Sequence, residues 1–166
     1  MTISIRHTEP DDFKAVQSLY AQPKCYSGTL QLPYPSLSHW QTRLANIDKN
    51  NHNLVAEIDN VIVGQITMEI MEKARRKHVA TLGMAVSHKQ QNKGIGYQLL
   101  TAIIDLADNW LAIRRIELEV YTDNHAAIAL YEKAGFVIEG TAKDYAFRDG
   151  KYVNAYLMAR LTNKTL

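Results

Sequence analysis

At 166 residues, 46% apolar and 22% charged, the chain has the composition of an ordinary soluble globular domain, long enough to bury a core without a disulfide or metal staple. The net charge of +2 is too mild to point to nucleic acid, whose binding domains concentrate Lys and Arg on one face. No apolar run reaches the roughly 18 residues that would suggest a membrane span, so no membrane partner is expected.

The opening MTISIRHTEP lacks the apolar core of a signal peptide, and the expected location is cytoplasmic. Cys25 is the single cysteine, which excludes an intrachain disulfide, and no Cys-His metal pattern surrounds it, so no metal is expected. It reads as a small loop or core residue.

Residues 3 to 7 alternate like a strand, and Glu9-Pro10-Asp11-Asp12 supplies the acidic, proline-started opening of a helix reaching about Gln22. From Pro23 to Ser36 three prolines and a glycine among apolar residues predict an ordered loop of the kind that lines sites. Ser36 or Ser38 caps a second helix to about Asp48. Leu54 to Ile58 then pairs with Val61 to Met71 through an Asp59-Asn60 hairpin turn.

The run Lys73-Ala-Arg75-Arg76-Lys77-His78 reads either as a solvated connection between strands or as a wall of a substrate or cofactor mouth. A strand from Val79 to Val86 follows. Residues 94 to 111 place Ile95, Leu99, Ile103, Leu106 and Trp110 at helical spacing, and Ile116 to Tyr121 is the next strand. Asp123-Asn124 caps a helix that Gly135 stops before Phe136. Two last strands, about Val137 to Phe147 and Tyr152 to Arg160, flank an Asp149-Gly150 turn.

The predicted order is βααβββαβαββ, one strand-helix-strand crossover between antiparallel pairs, with no repeat or domain boundary. The chemistry concentrates where the strand ending at Val86 runs through Ser87-His88-Lys89-Gln90-Gln91-Asn92-Lys93-Gly94-Ile95-Gly96-Tyr97 into a helix. The first turn of a helix leaves N–H groups unpaired at the positive end of its dipole, and the glycines let phosphate oxygens approach the backbone. The Gly-Lys-Ser/Thr of a P-loop and the three-glycine dinucleotide fingerprint are both missing.

The spacing Gln91-x-x-Gly94-x-Gly96 resembles the Gln/Arg-x-x-Gly-x-Gly/Ala signature with which GNAT acetyltransferases hold the pyrophosphate of coenzyme A. Asn124 after the next strand and Tyr131 in Asn-His-Ala-Ala-Ile-Ala-Leu-Tyr-Glu-Lys-Ala-Gly-Phe match the family in order, and the likeness covers nearly the whole chain. Asn109-Trp110-Leu111, Glu139-Gly140-Thr141 and Gly150-Lys151-Tyr152-Val153 resemble the bacterial L-amino acid N-acyltransferases within it. Asn154 stands where that subgroup commonly has an acidic residue.

The resemblance implies an α/β (α+β) GNAT fold in one domain over residues 1–166: a mixed sheet of about seven strands with splayed parallel middle strands, and about four helices. It implies acetyl-CoA as cosubstrate and transfer of acetyl to a small-molecule primary amine, an amino acid or derivative. It also implies cofactor contacts from Met84, Ala85 and Val86, from Gln91, Asn92, Lys93, Gly94, Ile95, Gly96 and Tyr97, and from Asn124 and Tyr131. Tyr131 takes the role of acid to the departing thiolate.

The base is Glu119, which shares a strand face with Glu117, or an ordered water. Thr29, Leu30, Gln31, Met68, Tyr145 and Arg148 are expected on the acceptor side, where an arginine can hold a carboxylate bidentately. A protein N-terminus, a polyamine or an antibiotic are the other acceptors, and a non-catalytic acetyl-CoA sensor is the alternative from another class. A homodimer is expected, since dimers are common in the family and terminal strands offer edges.

Overall fold

The computed structural model describes residues 1–163. Among the described residues seven strands form a mixed sheet in the order β1-β2-β3-β4-β5-β7-β6, accompanied by five α-helices. The residues group into two compact units, Met1–Glu69 with Gly83–Ile103, and Ile70–Leu82 with the chain from Ile104 onward.

In the first unit β1 (Ile3–His7) pairs antiparallel with β2 (Asn51–Ile58), and β2 with β3 (Val61–Ile70). The Asp59-Asn60 turn places both residues at positive φ, 50° and 62°, the twist that a two-residue hairpin requires. One-turn helix Pro10–Asp12 leads into α1 (Phe13–Tyr20), which buries Val16, Leu19 and Tyr20. Helix α3 (Leu37–Ala45) is capped by the Ser36 hydroxyl, which accepts from His39 N, and buries Trp40 and Leu44. The Tyr20 and Trp40 rings stack at 4.8 Å, completing an apolar cluster with Val16, Leu19, Cys25, Leu44, Val55 and Ala85.

The segment from Pro23 to Ser36 is not wholly a loop. Pro23–Ser27 forms a short helix, α2, with proline in its first turn after an extended Gln22. Proline pre-sets the helical φ where its missing N–H costs nothing, and buried Cys25 anchors the turn. Residues beyond it extend outward, with Leu30, Leu32 and Tyr34 exposed.

Helix α4 (Ile95–Asn109) buries Ile95, Leu99, Leu100, Ile103 and Ala107. The predicted stripe ran on to Trp110, but the helix stops at Asn109 and Ala112 turns through φ 54°. Trp110 therefore falls past the last turn and is 76% exposed. Gly64 on β3 faces this helix: a Cβ there would lie 3.0 Å from Leu99 Cδ1 and 3.3 Å from Ile95 Cγ2. Glycine thus suits this close helix–strand approach, where any side chain would press on Leu99 and Ile95.

β4 (Val79–Val86) contributes its first half to the second unit, where it meets β5 (Arg115–Tyr121) in a parallel ladder of three pairs, Val79–Arg115 to Thr81–Glu117. Among the described residues the ladder ends there, while β4 runs on through Val86. β5 pairs antiparallel with β7 (Lys151–Leu161), and β7 with the edge strand β6 (Val137–Arg148). The Asp149-Gly150 turn has both φ values positive, at 49° and 77°. Helix α5 (His125–Lys133) begins at Asn124, whose Oδ1 accepts from Ala127 N, and Gly135 at φ 94° follows its end.

Candidate active site

The glycine segment takes the form that anion binding requires. β4 ends at Val86, a single turn covers His88–Gln90, and Asn92 and Gly94 lie at φ 62° and 80° before α4 begins. Alternating positive φ curls successive N–H groups toward one side, a concavity suited to oxyanions. Gln98 N donates to Gly94 O at 3.0 Å as the helix opens, so the N–H groups of Ile95 and Gly96 lie ahead of the helical ladder.

A Cβ built on Gly94 meets nothing within 4 Å, so the space over this backbone is open. Gln91, Asn92, Lys93 and Gly94 are exposed, while the Ile95 side chain is 1% exposed and fixes the helix start to the core. Lys93 Nζ donates to Gln90 Oε1 at 2.9 Å. Exposed backbone, a fifteen-residue helix behind it and a lysine beside it fit a pyrophosphate.

The strand leading into the loop is held from outside. Val86 O accepts from Gln91 Nε2 and from Cys25 Sγ, each at 3.4 Å, and Ser87 N donates to Val63 O at 2.8 Å. Gln22 Oε1 accepts from Ser87 Oγ at 3.2 Å and from His88 N at 3.0 Å. Met84 is half-buried and Ala85 buried, leaving β4's contribution to its backbone. No sequence signal marked Gln22, because its partners lie 65 and 66 residues away.

Of the acceptor-side residues in this unit, Thr29 Oγ1 donates to Cys25 O at 2.9 Å and Gln31 N donates to Thr29 Oγ1 at 3.3 Å. Leu30 is 67% exposed. Met68 is fully buried in β3.

In the second unit Tyr131 is buried on α5, its ring edge-on to Phe136 at 5.7 Å. Burial alone pushes its phenol up to about 12, because the low-dielectric surroundings disfavour phenolate. The phenol thus stays protonated across the physiological range. Glu119 is exposed on β5 between buried Leu118 and Val120, whereas Glu117, sharing its strand face, is tied to Arg115 at 2.7 Å and Arg76 at 2.9 Å. Those two arginines hold the Glu117 carboxyl below its ordinary value against the opposing effect of burial. Glu117 is therefore held in ion pairs, while Glu119 is exposed on the same strand face.

Arg148 is paired: its Nη1 and Nη2 donate to Asp123 Oδ1 and Oδ2, and its guanidinium lies 5.1 Å over the Tyr121 ring. Tyr145 stands 6.5 Å from Tyr121, and burial followed by the nearby Glu119 charge raises its phenol. Asn154 explains Tyr145's placement. Its Oδ1 accepts from Asp144 N at 2.9 Å, pinning an irregularity in β6 where Asp144 has φ 49°. Its carbonyl also accepts from Thr122 N at 3.0 Å. The side-chain acceptor is what this position needs, and Asn supplies it as an acidic residue would.

No group of three or more metal-ligating side chains occurs among the described residues, and no helix is long and apolar enough to cross a membrane. In the first unit the exposed glycine turn ahead of α4 suits an oxyanion, and in the second Tyr131 is buried and protonated. The chain belongs to the acetyltransferase (GNAT) family, whose profile matches residues 14–136, and it is an N-acetyltransferase.

It is 46% identical over 159 residues to the L-amino acid N-acetyltransferase AaaT of Escherichia coli strain K12, covering 96% of this chain and 98% of that one. Among solved structures, a GNAT-family acetyltransferase from Streptococcus pneumoniae superposes with TM-score 0.85 at 27% identity, over 97% of this chain and 100% of that one. A phosphinothricin acetyltransferase from Sinorhizobium meliloti, in complex with AcCoA, shares the fold with TM-score 0.86 at 21% identity, over 97% of this chain and 89% of that one.

Proposed function

We propose that this enzyme transfers acetyl from acetyl-CoA to the α-amine of an L-amino acid or a close derivative, by direct attack of the amine within a ternary complex. The observation that carries the acceptor class is the 46% identity to an L-amino acid N-acetyltransferase across nearly the full length of both chains. Acetyl-CoA, when bound, supplies the thioester carbon that the amine attacks and the thiolate that leaves.

In this reading the N–H groups from Gln91 to Tyr97 bind the pyrophosphate, with Lys93 adding positive charge. The backbone of Met84, Ala85 and Val86, beyond the end of the parallel ladder, bonds the pantetheine arm. A backbone N–H near Met84 polarises the carbonyl on which charge develops, and Asn124 combines its capping bond with a contact to the arm.

The acceptor arrives mostly as an ammonium ion, so a proton must leave before attack. Glu119, directly or through a water, takes it. As the C–N bond forms and the C–S bond breaks, Tyr131 would give its proton to sulfur, and the second proton shed by the acylated nitrogen would restore the phenol through water, leaving the first on Glu119 to pass to solvent. Thr29, Leu30, Gln31, Met68, Tyr145 and Arg148 are the residues assigned to the acceptor. Arg148 exchanges the Asp123 carboxylate for that of the amino acid.

One domain and a homodimer belong to the same proposal. The dimer is supported by β6 standing at the sheet edge with Val137 and Ile138 exposed, and sedimentation of the purified chain tests it. The function itself is tested by thiol release from acetyl-CoA against L-amino acids, polyamines, aminoglycosides and N-terminal peptides. Release with amino acids alone is expected; release with another class, and none with amino acids, overturns the acceptor assignment.

A further inference from the structure

The turn His88–Gln90 at the mouth of the glycine segment is capped from a distance. Its own N-cap residue, Ser87, makes no side-chain cap. The acceptor for the first N–H of the turn is instead Gln22 Oε1, at 3.0 Å from His88 N, and the same oxygen takes the Ser87 hydroxyl at 3.2 Å. An N-cap normally comes from the adjoining residue. Here it comes from the junction of α1 and α2.

Gln22 is itself held firmly. Its carbonyl accepts from Cys25 N at 2.8 Å and Tyr26 N at 3.0 Å, and its backbone is extended directly before Pro23. One turn further on, Cys25 Sγ donates to Val86 O. Burial pushes this thiol up to about 11, so it stays the protonated partner. Two residues of one short segment thus fix three consecutive residues of the chain, Val86, Ser87 and His88, at the entry to the cradle.

We propose that Gln22, seconded by Cys25, is a positioning residue for the cofactor loop. It holds the Ser87–His88 turn in the form that presents the N–H groups of Gln91 to Gly96, and it ties cofactor affinity to the segment that continues into Thr29 and Gln31. The inference rests on the reading that this loop binds coenzyme A. Without the Gln22 oxygen, His88 N loses its protein acceptor, the turn rearranges more freely, and binding must pay for ordering it.

The test is calorimetric titration of the full chain with coenzyme A, which needs no knowledge of the acceptor. If the wild-type chain binds no coenzyme A, the functional reading fails first. If it binds, Gln22→Met, which keeps length and removes the acceptor, is expected to raise Kd on the order of tenfold, with KM for acetyl-CoA rising more than kcat falls. Ser87→Ala, which removes one of the two bonds, is expected to raise Kd about threefold, and to add little on top of Gln22→Met. This milder variant carries the test if Gln22→Met does not fold. Unchanged Kd in folded variants, or a fall in kcat alone, overturns the proposal.

Discussion

Arg148 grips Asp123 with both ends of its guanidinium, and Asp123 immediately precedes Asn124, the cap of the helix that carries Tyr131. The contact joins the β6–β7 hairpin to the β5–α5 turn, with Tyr121 beneath the cation. If an acceptor carboxylate competes with Asp123 for this arginine, the two partners act in opposite senses. Asp123→Asn is expected to lower KM for the amino acid about threefold, and Arg148→Met to raise it about tenfold, as bidentate carboxylate recognition implies. Initial-rate kinetics over a range of acceptor concentrations decide this. KM unchanged in both variants would leave the pair a structural one.

Tyr131→Phe removes the proton donor and leaves the edge-on ring contact with Phe136 intact. A loss in kcat of about a hundredfold is expected, the lower range for general acid–base catalysis, with little change in thermal stability. Because burial holds the phenol near 12, it stays protonated up to alkaline pH. The wild-type kcat profile should therefore show no loss of this acid below about pH 10. A basic limb near pH 8 that disappears in Tyr131→Phe would contradict the stated environment.

Gly94→Ala probes the cradle. At φ 80°, with open space around the position of a Cβ, the substitution costs about 1 kcal/mol in backbone strain. It also puts a methyl group over the backbone proposed to meet the pyrophosphate. Coenzyme A affinity is expected to fall at least about tenfold by calorimetry while the melting temperature drops only a few degrees. Equal affinities would move the pyrophosphate away from this backbone.

Arg6 bridges Asp12 and Glu57, donating to Asp12 at 2.8 and 2.9 Å and to Glu57 at 2.7 Å. The Arg6 hydrogen bonds hold the Asp12 carboxyl below its ordinary value, outweighing burial. A folded-state value depressed below the unfolded one of about 4 means that the stabilisation is whole above that pH and is lost as pH falls through the folded value. Arg6 is partly exposed, so Arg6→Gln is expected to cost only about 0.5–1 kcal/mol at pH 7. In urea denaturation the gap to wild type should close as pH approaches 2. A gap constant with pH would remove Asp12 from the explanation.

Much of this was legible in the sequence because it depends on local chemistry. Asp59-Asn60 and Asp149-Gly150 can each turn through two left-handed residues, and both do. Asn124 caps, Gly135 follows the helix end at positive φ, and the glycine spacing between β4 and α4 foretells a turn there, where Asn92 and Gly94 lie at positive φ. Trp110 misled because periodicity carries no information about where a helix stops. Short α2 escaped because one turn of helix after Pro23 has too few residues to display a period. The side-chain bonds of Gln22, Asp123 and Asn154 were invisible for a common reason: each is made with partners that only folding brings near.

The strand order of the second unit has a consequence for biosynthesis. β7 is made after β6, yet it lies between β5 and β6 and is the neighbour of both. While the last strand remains inside a ribosome, β5 and β6 have no ladder between them, and each waits with an unpaired edge. Chains made at about 5–20 residues per second fold their earlier parts first, so this unit closes only once β7 has emerged. A stalled or truncated translation product would carry β6 as an unsealed edge, the state most open to pairing with a second nascent chain.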